Sequence, residues 1–554
     1  MFARKWLLAA GIVAAVLAAG LVVFVLVRPG ATPAGLDWAP CAGRDGFDCA
    51  TLRVPVDHAR PGGPTLGIAL NRLPAGDPGA RIGALVVNPG GPGESGLDMV
   101  FEGREQFAAL RGRYDIVGFD PRGVGASDAV RCLDDPAMDR FTAADRTPTT
   151  PAGRARVHED LKAFADACGA RSGNLLPFVG TENVARDLDL IRAALGEERL
   201  HYFGFSYGTR LGQFYAERFP GRVGRMVLDS VDNPAEGEVP EADPTAGPGP
   251  GGSPGSPGPG GSPGPGGSTA PGGSPGRSPA PGDSPGTNDA DAADEPDQAE
   301  SVLRDILRDC ARRPDCPVGT DENAAVRAVD DLLAKLDTQP VPAAGDRRLT
   351  GSLARAALFQ ATYSPDSWEQ ARTGLRDALD GRGDGLLTLA DEYYHRDSQG
   401  RYTNATSAFA AVTCLIGDPR QVRGTPGEIA ARMDAGAAAS AKASPHFGAW
   451  LYYSTQYCAY WPAAPTVAPH PVSAEGAPTI LLVNNTRDAA TPLEGAEAVA
   501  DALADARLVV ADADGHIAYG NSPCVGRIVD EFLLRGTVPS TEESWPQRQV
   551  TCPA

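Results

Sequence analysis

At 554 residues the chain is longer than one compact core normally accommodates, so two folded units or one enlarged domain with insertions are expected. Its formal net charge of -20 and pI near 4.8 exclude the basic surface that a nucleic-acid partner would require. Ten cysteines, with no CxxC pair of the metal-binding or thioredoxin type, point to disulfides made in an oxidising compartment.

The chain opens with Arg4 and Lys5 ahead of an apolar run at 6–27, which is long enough to span a bilayer. Residues 1–35 are therefore expected to form an uncleaved membrane anchor or, alternatively, a signal peptide cut near Ala34. Positive charge ahead of the run places the rest outside. From 36 to 238, apolar runs at 82–87, 114–119, 200–205 and 225–231 alternate with helical patterns, as in a parallel sheet with crossover helices. The clearest helix spans 183–195: Val184, Leu188, Ile191 and Leu195 share one face, Asn183 can cap the start and Gly196 follows the end.

Residues 239–299 are dominated by Gly, Pro and Ser and then turn acidic, with too few apolar side chains to offset the entropy of ordering them. A disordered insert is expected; glycine does not recur at every third position, which excludes collagen. From 300 to 470 the pattern is helical and Ala-rich, with helices expected at 302–312, 323–336, 352–363, 368–379 and 425–433 and no strand ladder. Strand patterns resume at 479–485 and 506–511, within 471–554. The helical stretch thus reads as a cap, or lid, inserted between two parts of a sheet domain.

The chemistry centres on Gly204-Phe205-Ser206-Tyr207-Gly208, between an expected strand and an expected helix. Small residues two positions either side let the chain turn sharply and lift the Ser206 hydroxyl above the sheet, while the Tyr207 N–H, at the start of the helix, faces a developing oxyanion. Such a serine needs a base and an acid to orient it, following in the order Asp then His. Asp488 and His516 each come a few residues after an expected strand, at the carboxyl edge that also carries Ser206. The other histidines, at 58, 158, 201, 395, 446 and 470, lack a strand-end Asp at suitable spacing. A second oxyanion donor is expected from the loop Asn88-Pro89-Gly90-Gly91-Pro92-Gly93 after an early strand. Nearest-neighbour pairing would give bridges 41–49, 132–168, 310–316, 414–458 and 524–552, a connectivity that sequence alone does not fix.

Taken together, NPGGPGESG (88–96), YDIVGFDPRGVGAS (114–127), the stretch from Thr181 through Gly212, YAERFPGRVGRMVLDS (215–230), NNTRDAATP (484–492) and ADGH (513–516) resemble the secreted tripeptidyl and prolyl aminopeptidase family of α/β-hydrolases. The likeness covers about residues 38–235 and 470–552. It implies an α/β-hydrolase fold with a mostly parallel sheet and an inserted helical cap. The implied activity is that of an exported serine exopeptidase, with Ser206 as nucleophile, Asp488 as acid, His516 as base, and Gly91 with Tyr207 as oxyanion donors. Where prolyl aminopeptidases have His before Gly-Gly-Pro-Gly, this chain has Asn88-Pro89, which favours the tripeptidyl branch. The Gly/Pro/Ser insert departs from the family pattern.

The implied substrates are peptides with a free N-terminus, and no cofactor or metal is called for. Two alternatives use the same fold: a carboxylic ester hydrolase with the same triad, and a catalytically inactive envelope-binding protein. Exopeptidase specificity needs an anionic group for the substrate's ammonium. The helical stretch supplies several carboxylates, Asp366, Glu369, Asp391, Glu392 and Asp418, and no spacing singles one out. Nothing in the sequence sets the oligomeric state.

Overall fold

The computed structural model describes residues 35–236, 298–417, 424–540 and 549–553. The expected N-terminal anchor and nearly all of the Gly/Pro/Ser insert lie outside these residues. Among the described residues no helix is long and apolar enough to cross a membrane.

Twelve strands are described: β1 (Ala39–Pro40), β2 (Asp48–Pro55), β3 (Thr65–Leu73), β4 (Gly83–Asn88), β5 (Tyr114–Phe119), β6 (Leu200–Phe205), β7 (Val223–Asp229), β8 (Val341–Pro342), β9 (Arg348–Leu349), β10 (Ile480–Arg487), β11 (Ala506–Asp514) and β12 (Gln549–Cys552). Ten of them form one sheet in the order β1-β2-β3-β5-β4-β6-β7-β10-β11-β12. Pairing is antiparallel from β1 to β5 and parallel from β5 to β12. This is an α/β-hydrolase architecture.

The central strands are apolar throughout because both faces of the sheet are covered. In β4, Ala84 and Val86 join a core with helices Thr181–Ala194 and Tyr207–Arg218, while Leu85 and Val87 point the other way, into a core shared with Val525, Val529 and Phe532 of helix Pro523–Arg535. β6 alternates in the same manner, with Tyr202 on one face and Phe203 and Phe205 on the other.

Between β7 and β10 the described chain is almost entirely helical and has a separate apolar core built on Leu303, Leu332, Leu358, Leu375, Leu389 and Trp450. The two-residue pair β8–β9 is an exception to the strand-free pattern expected there; runs that short carry no periodic signal.

Most expected elements appear within a few residues of their sequence-based bounds, and helix Trp368–Leu379 coincides with its expected range. Helix Thr181–Ala194 starts earlier than expected, with Gly180 rather than Asn183 as its N-cap. The longer start is favoured by Thr181, which is buried and hydrogen-bonded to the Tyr207 hydroxyl at 2.8 Å. Strands β2 and β3 and helix Pro151–Ser172 were not anticipated. Along that helix the buried residues Val157, Leu161, Phe164 and Cys168 form only a narrow stripe among Arg, Ala and Gly.

All ten cysteines are paired, and the pairing is nearest-neighbour: 41–49, 132–168, 310–316, 414–458 and 524–552. Five bridges mark an extracytoplasmic protein. The last of them ties β12, on the open edge of β11, to helix Pro523–Arg535.

Candidate active site

Ser206 sits between β6 and helix Tyr207–Arg218 with φ 53° and ψ -130°, a conformation that costs free energy for any residue with a side chain. Its surroundings hold it there. The Ser206 N–H donates to the Asp229 carbonyl at 3.0 Å, and its own carbonyl accepts from the Thr209 N–H at 2.7 Å. The flanking glycines are required by close approach: a Cβ on Gly204 would lie 2.3 Å from the Gly208 carbonyl oxygen, and one on Gly208 would lie 2.7 Å from that of Asn88. The turn leaves Ser206 partly exposed at the carboxyl end of the sheet.

The loop after β4 lies against this elbow. Gly90, at φ +100°, approaches so closely that an added Cβ would sit 2.4 Å from the Phe205 carbonyl oxygen and 3.0 Å from the Tyr207 nitrogen. Gly91 follows at φ +99° and is exposed. Among the described residues its N–H donates to no acceptor.

Asp488, just past β10, and His516, just past β11, lie side by side. The His516 Nδ1 lies 2.9 Å from both Asp488 oxygens. Asp488 is fully buried yet well supplied with donors: the Ala490 and Thr491 N–H groups at 3.0 and 2.9 Å, the Thr491 hydroxyl at 3.0 Å and the Ser230 hydroxyl at 2.7 Å. Burial works against the carboxylate, but the charge and hydrogen bond of His516 and these donors hold its pKa below the ordinary value. An ionised Asp488 only accepts, so Nδ1 carries the ring proton and Nε2 is left as the basic atom. Burial likewise opposes charge on the imidazole, yet Asp488 and, to a lesser degree, Asp229 raise its pKa above 6.5.

No hydrogen bond joins the Ser206 hydroxyl to the His516 ring among the described residues. The two are linked instead through the end of β7, because Asp229 receives the Ser206 N–H on its carbonyl and the Ala518 and Tyr519 N–H groups on its carboxylate. Hydrogen bonds of this kind often tighten only with substrate bound.

A carboxylate partner does not by itself single out His516. His58 pairs with Asp187, His158 with Asp434, His395 with Glu94, His446 with Glu300 and His470 with Glu217. Among the described residues, His516 and His395 both have their partners at the sheet's carboxyl edge, Asp488 just past β10 and Glu94 in the loop after β4, and of these two carboxylates only Asp488 is fully buried.

The helical segment reaches the same place. The carbonyl of Tyr363, which ends helix Gly351–Thr362, accepts the His516 N–H at 2.8 Å, and the Tyr363 ring stands edge-on to the imidazole at 5.3 Å between centroids. On the other side, His395 Nε2 lies 2.7 Å from Glu94 Oε1, and helix Ala405–Thr413 packs on the glycine loop so tightly that a Cβ on Gly93 would be 2.7 Å from the Ala405 carbonyl oxygen.

Sequence reasoning did not find Asp229, Ser230, Thr491 or Tyr363. The first two end a parallel strand, so the strand-end rule that selected Asp488 could have selected them. Tyr363 carried no such signal, since its contacts, one through a backbone carbonyl and one through the edge of its ring, join segments far apart in the chain.

Comparison with known proteins accords with this architecture. Residues 83–252 match the family described as alpha/beta hydrolase fold, and residues 444–545 match that described as TAP-like protein. The chain is 33% identical over 538 residues to the serine protease Hip1 of Mycobacterium tuberculosis, covering 91% of this chain and 89% of that protein. It is 34% identical over 503 residues to carboxylesterase B of the same organism, with 89% and 85% covered. To the tripeptidyl aminopeptidase of Streptomyces lividans it is 30% identical over 544 residues, with 94% and 87% covered. With this likeness running along nearly the whole chain, the protein belongs to the TAP-like α/β-hydrolases and is a serine hydrolase.

Proposed function

We propose that the protein is an exported serine exopeptidase that hydrolyses peptide bonds near the free N-terminus of peptides, of the tripeptidyl or prolyl aminopeptidase type. The observation that carries this reading is the buried Asp488–His516 pair, 2.9 Å apart, on the edge where Ser206 is held in a strained turn. In the proposed reaction His516 Nε2 takes the Ser206 proton as the hydroxyl attacks the scissile carbonyl. The N–H groups of Gly91 and Tyr207 stabilise the tetrahedral anion. His516 then protonates the leaving amine, and water, activated by the same imidazole, releases the peptide from the acyl-enzyme. Asp488 keeps the ring in the right tautomer and stabilises its cationic form.

The helices from 300 to 470 act as the lid in this reading. They meet the site from two sides, through Tyr363 beyond His516 and through His395 and Ala405 at the glycine loop, and so restrict it to chain ends. The segment 1–35 serves as membrane anchor or export signal, and 239–299 as a tether between the first part of the core (36–238) and the lid. The second part of the core is 471–554.

A second reading, a carboxylic ester hydrolase, is favoured by the likeness to carboxylesterase B and would use the same three side chains. Rates on a tripeptidyl anilide, on its N-acetylated form and on a short-chain ester separate the two. An aminopeptidase cleaves the unblocked anilide and rejects the acetylated one. Cleavage of the ester alone would overturn the peptidase reading in favour of the esterase.

A further inference from the structure

The end of β7 holds a second carboxylate that the proposed reaction does not use. Asp229 is fully buried. Its Oδ1 accepts the Ala518 N–H at 3.1 Å and its Oδ2 accepts the Tyr519 N–H at 2.7 Å, so both oxygens engage the stretch that follows His516. The next residue, Ser230, is also fully buried and works in two directions. It donates to Asp488 Oδ2 at 2.7 Å and accepts the Ile517 N–H at 2.8 Å. Three successive N–H groups after His516 are thus captured by two adjacent side chains. Ser230 at φ 59° and Ile517 at φ 73° both stand in the left-handed region, which is costly for a β-branched residue above all. Such conformations persist only when neighbouring contacts over-determine them, and here those contacts are the Asp229–Ser230 bonds.

A buried carboxylate without a cation is expensive. Asp229 makes no ion pair with Lys or Arg among the described residues, and its pKa is pushed up to about 6, by burial first, against the pull of the two N–H donors and of His516, with Asp488 adding to the rise. The neighbour whose protonation relieves it is the imidazole.

We propose that Asp229 and Ser230 are positioning residues for catalysis. They clamp residues 517–519 and, through these and Asp488, hold the His516 ring in its working orientation, with a second negative charge behind the imidazolium. This rests on His516 being the base. The groups facing the ring are Asp488 from the turn after β10, Asp229 from β7, and Tyr363 from the helical segment; Arg487, on the outer side, is paired with Asp512 and Asp514. The amide of asparagine carries no charge and offers one acceptor to the two N–H groups, so if Asp229 merely closed a turn the change would loosen 518–519 and leave the His516 titration where it was. If its charge supports the imidazolium, the same amide lowers the pKa of His516.

The test is a titration of the full-length protein with its seven histidines 13C-labelled, the His516 resonance being assigned from His516→Ala. In Asp229→Asn the His516 midpoint should fall by about one pH unit, on the scale expected for loss of a neighbouring charge. The acid limb of fluorophosphonate labelling at Ser206 should move the same way. An unchanged midpoint would overturn the proposal. Should Asp229→Asn fail to fold, Ser230→Gly takes its place, because glycine accepts φ 59° and removes only the small hydroxymethyl group that makes both bonds. It should expose the Ile517 amide to hydrogen exchange and slow labelling about tenfold, and wild-type protection and rate would count against the clamp. Full hydrolysis by Ser206→Ala would instead sink the reading of the site itself, and the imidazole titration stays informative in that case.

Discussion

The carboxyl edge of the sheet and the helical segment above it meet at the same site but are built differently. At the edge, Ser206, Asp229, Ser230, Asp488 and His516 belong to strand ends and turns whose polar atoms are nearly all engaged, and Ser206, Ser230 and the neighbouring Ile517 hold backbone at positive φ. The helical segment is an apolar and aromatic assembly that touches the edge through the Tyr363 carbonyl and ring, the His395–Glu94 ion pair, the packing of Ala405 on Gly93, and the Asn404 amide, which accepts the Gly125 N–H and donates to the Gly123 carbonyl. Groups that must be held to a fraction of an ångström sit on the rigid layer, and the cover can be altered with little effect on the chemistry. Substitutions in the first region should therefore act on rate, and those in the second on stability and selectivity.

The largest effect separating the two is expected from Asp488→Asn. The side chain keeps its shape but no longer fixes the proton on Nδ1, so kcat should drop on the order of 10⁴-fold while thermal unfolding changes little. In the parent protein the rate should rise with pH as His516 gives up its proton, with the acid limb of kcat/KM above pH 6.5, since Asp488 and Asp229 raise that pKa. A limb well below 6.5 would mean that the two carboxylates do not act on the ring.

Next in size is the Cys414→Ser, Cys458→Ser double variant. This bridge, with a sequence separation of 44, pins the end of helix Ala405–Thr413 to the turn at 456–460. On chain-entropy grounds its loss should lower unfolding free energy by roughly 4 kcal/mol. Denaturant titration measures the loss, and fluorophosphonate labelling of the remaining folded protein should proceed at close to the parental rate.

Gly90→Ala probes the edge again. The new methyl would meet the Phe205 carbonyl oxygen at 2.4 Å in a left-handed conformation, which should cost about 1–3 kcal/mol and slow labelling by lifting the glycine loop from the elbow. The smallest effect belongs to His395→Asn, which removes the half-exposed ion pair with Glu94 while tolerating φ 52°. Its stability change should stay under about 1 kcal/mol, with the hydrolytic rate within the same order of magnitude. A larger loss of rate would move part of the chemistry onto the helical segment.

Much of the edge is legible in the sequence, because its signals are local. Strands β4 to β7 declare themselves as short apolar runs buried on both faces, the elbow as two glycines around a serine, and Asp488 and His516 as polar residues just past strands. What stays hidden depends on distant contacts. β2 and β3 are antiparallel strands in which buried and exposed residues mix irregularly, and helix Pro151–Ser172 shows too narrow an apolar stripe to stand out. The Asp229–Ser230 clamp spans 287 residues from Ser230 to Ile517, and no spacing within one element encodes it. Tyr363 meets His516 through its carbonyl, to which side-chain identity is silent, and through its ring, across a separation that no local pattern encodes.

The chemistry at this edge turns on Ser206 being the nucleophile that His516 activates. The most direct measurement is treatment of the intact protein with a fluorophosphonate, followed by peptide mapping of the adduct. A single phosphonylated site at Ser206, formed at a rate that collapses in His516→Ala, is the predicted result. An adduct on another serine, or labelling of Ser206 that is indifferent to loss of the imidazole, would contradict it.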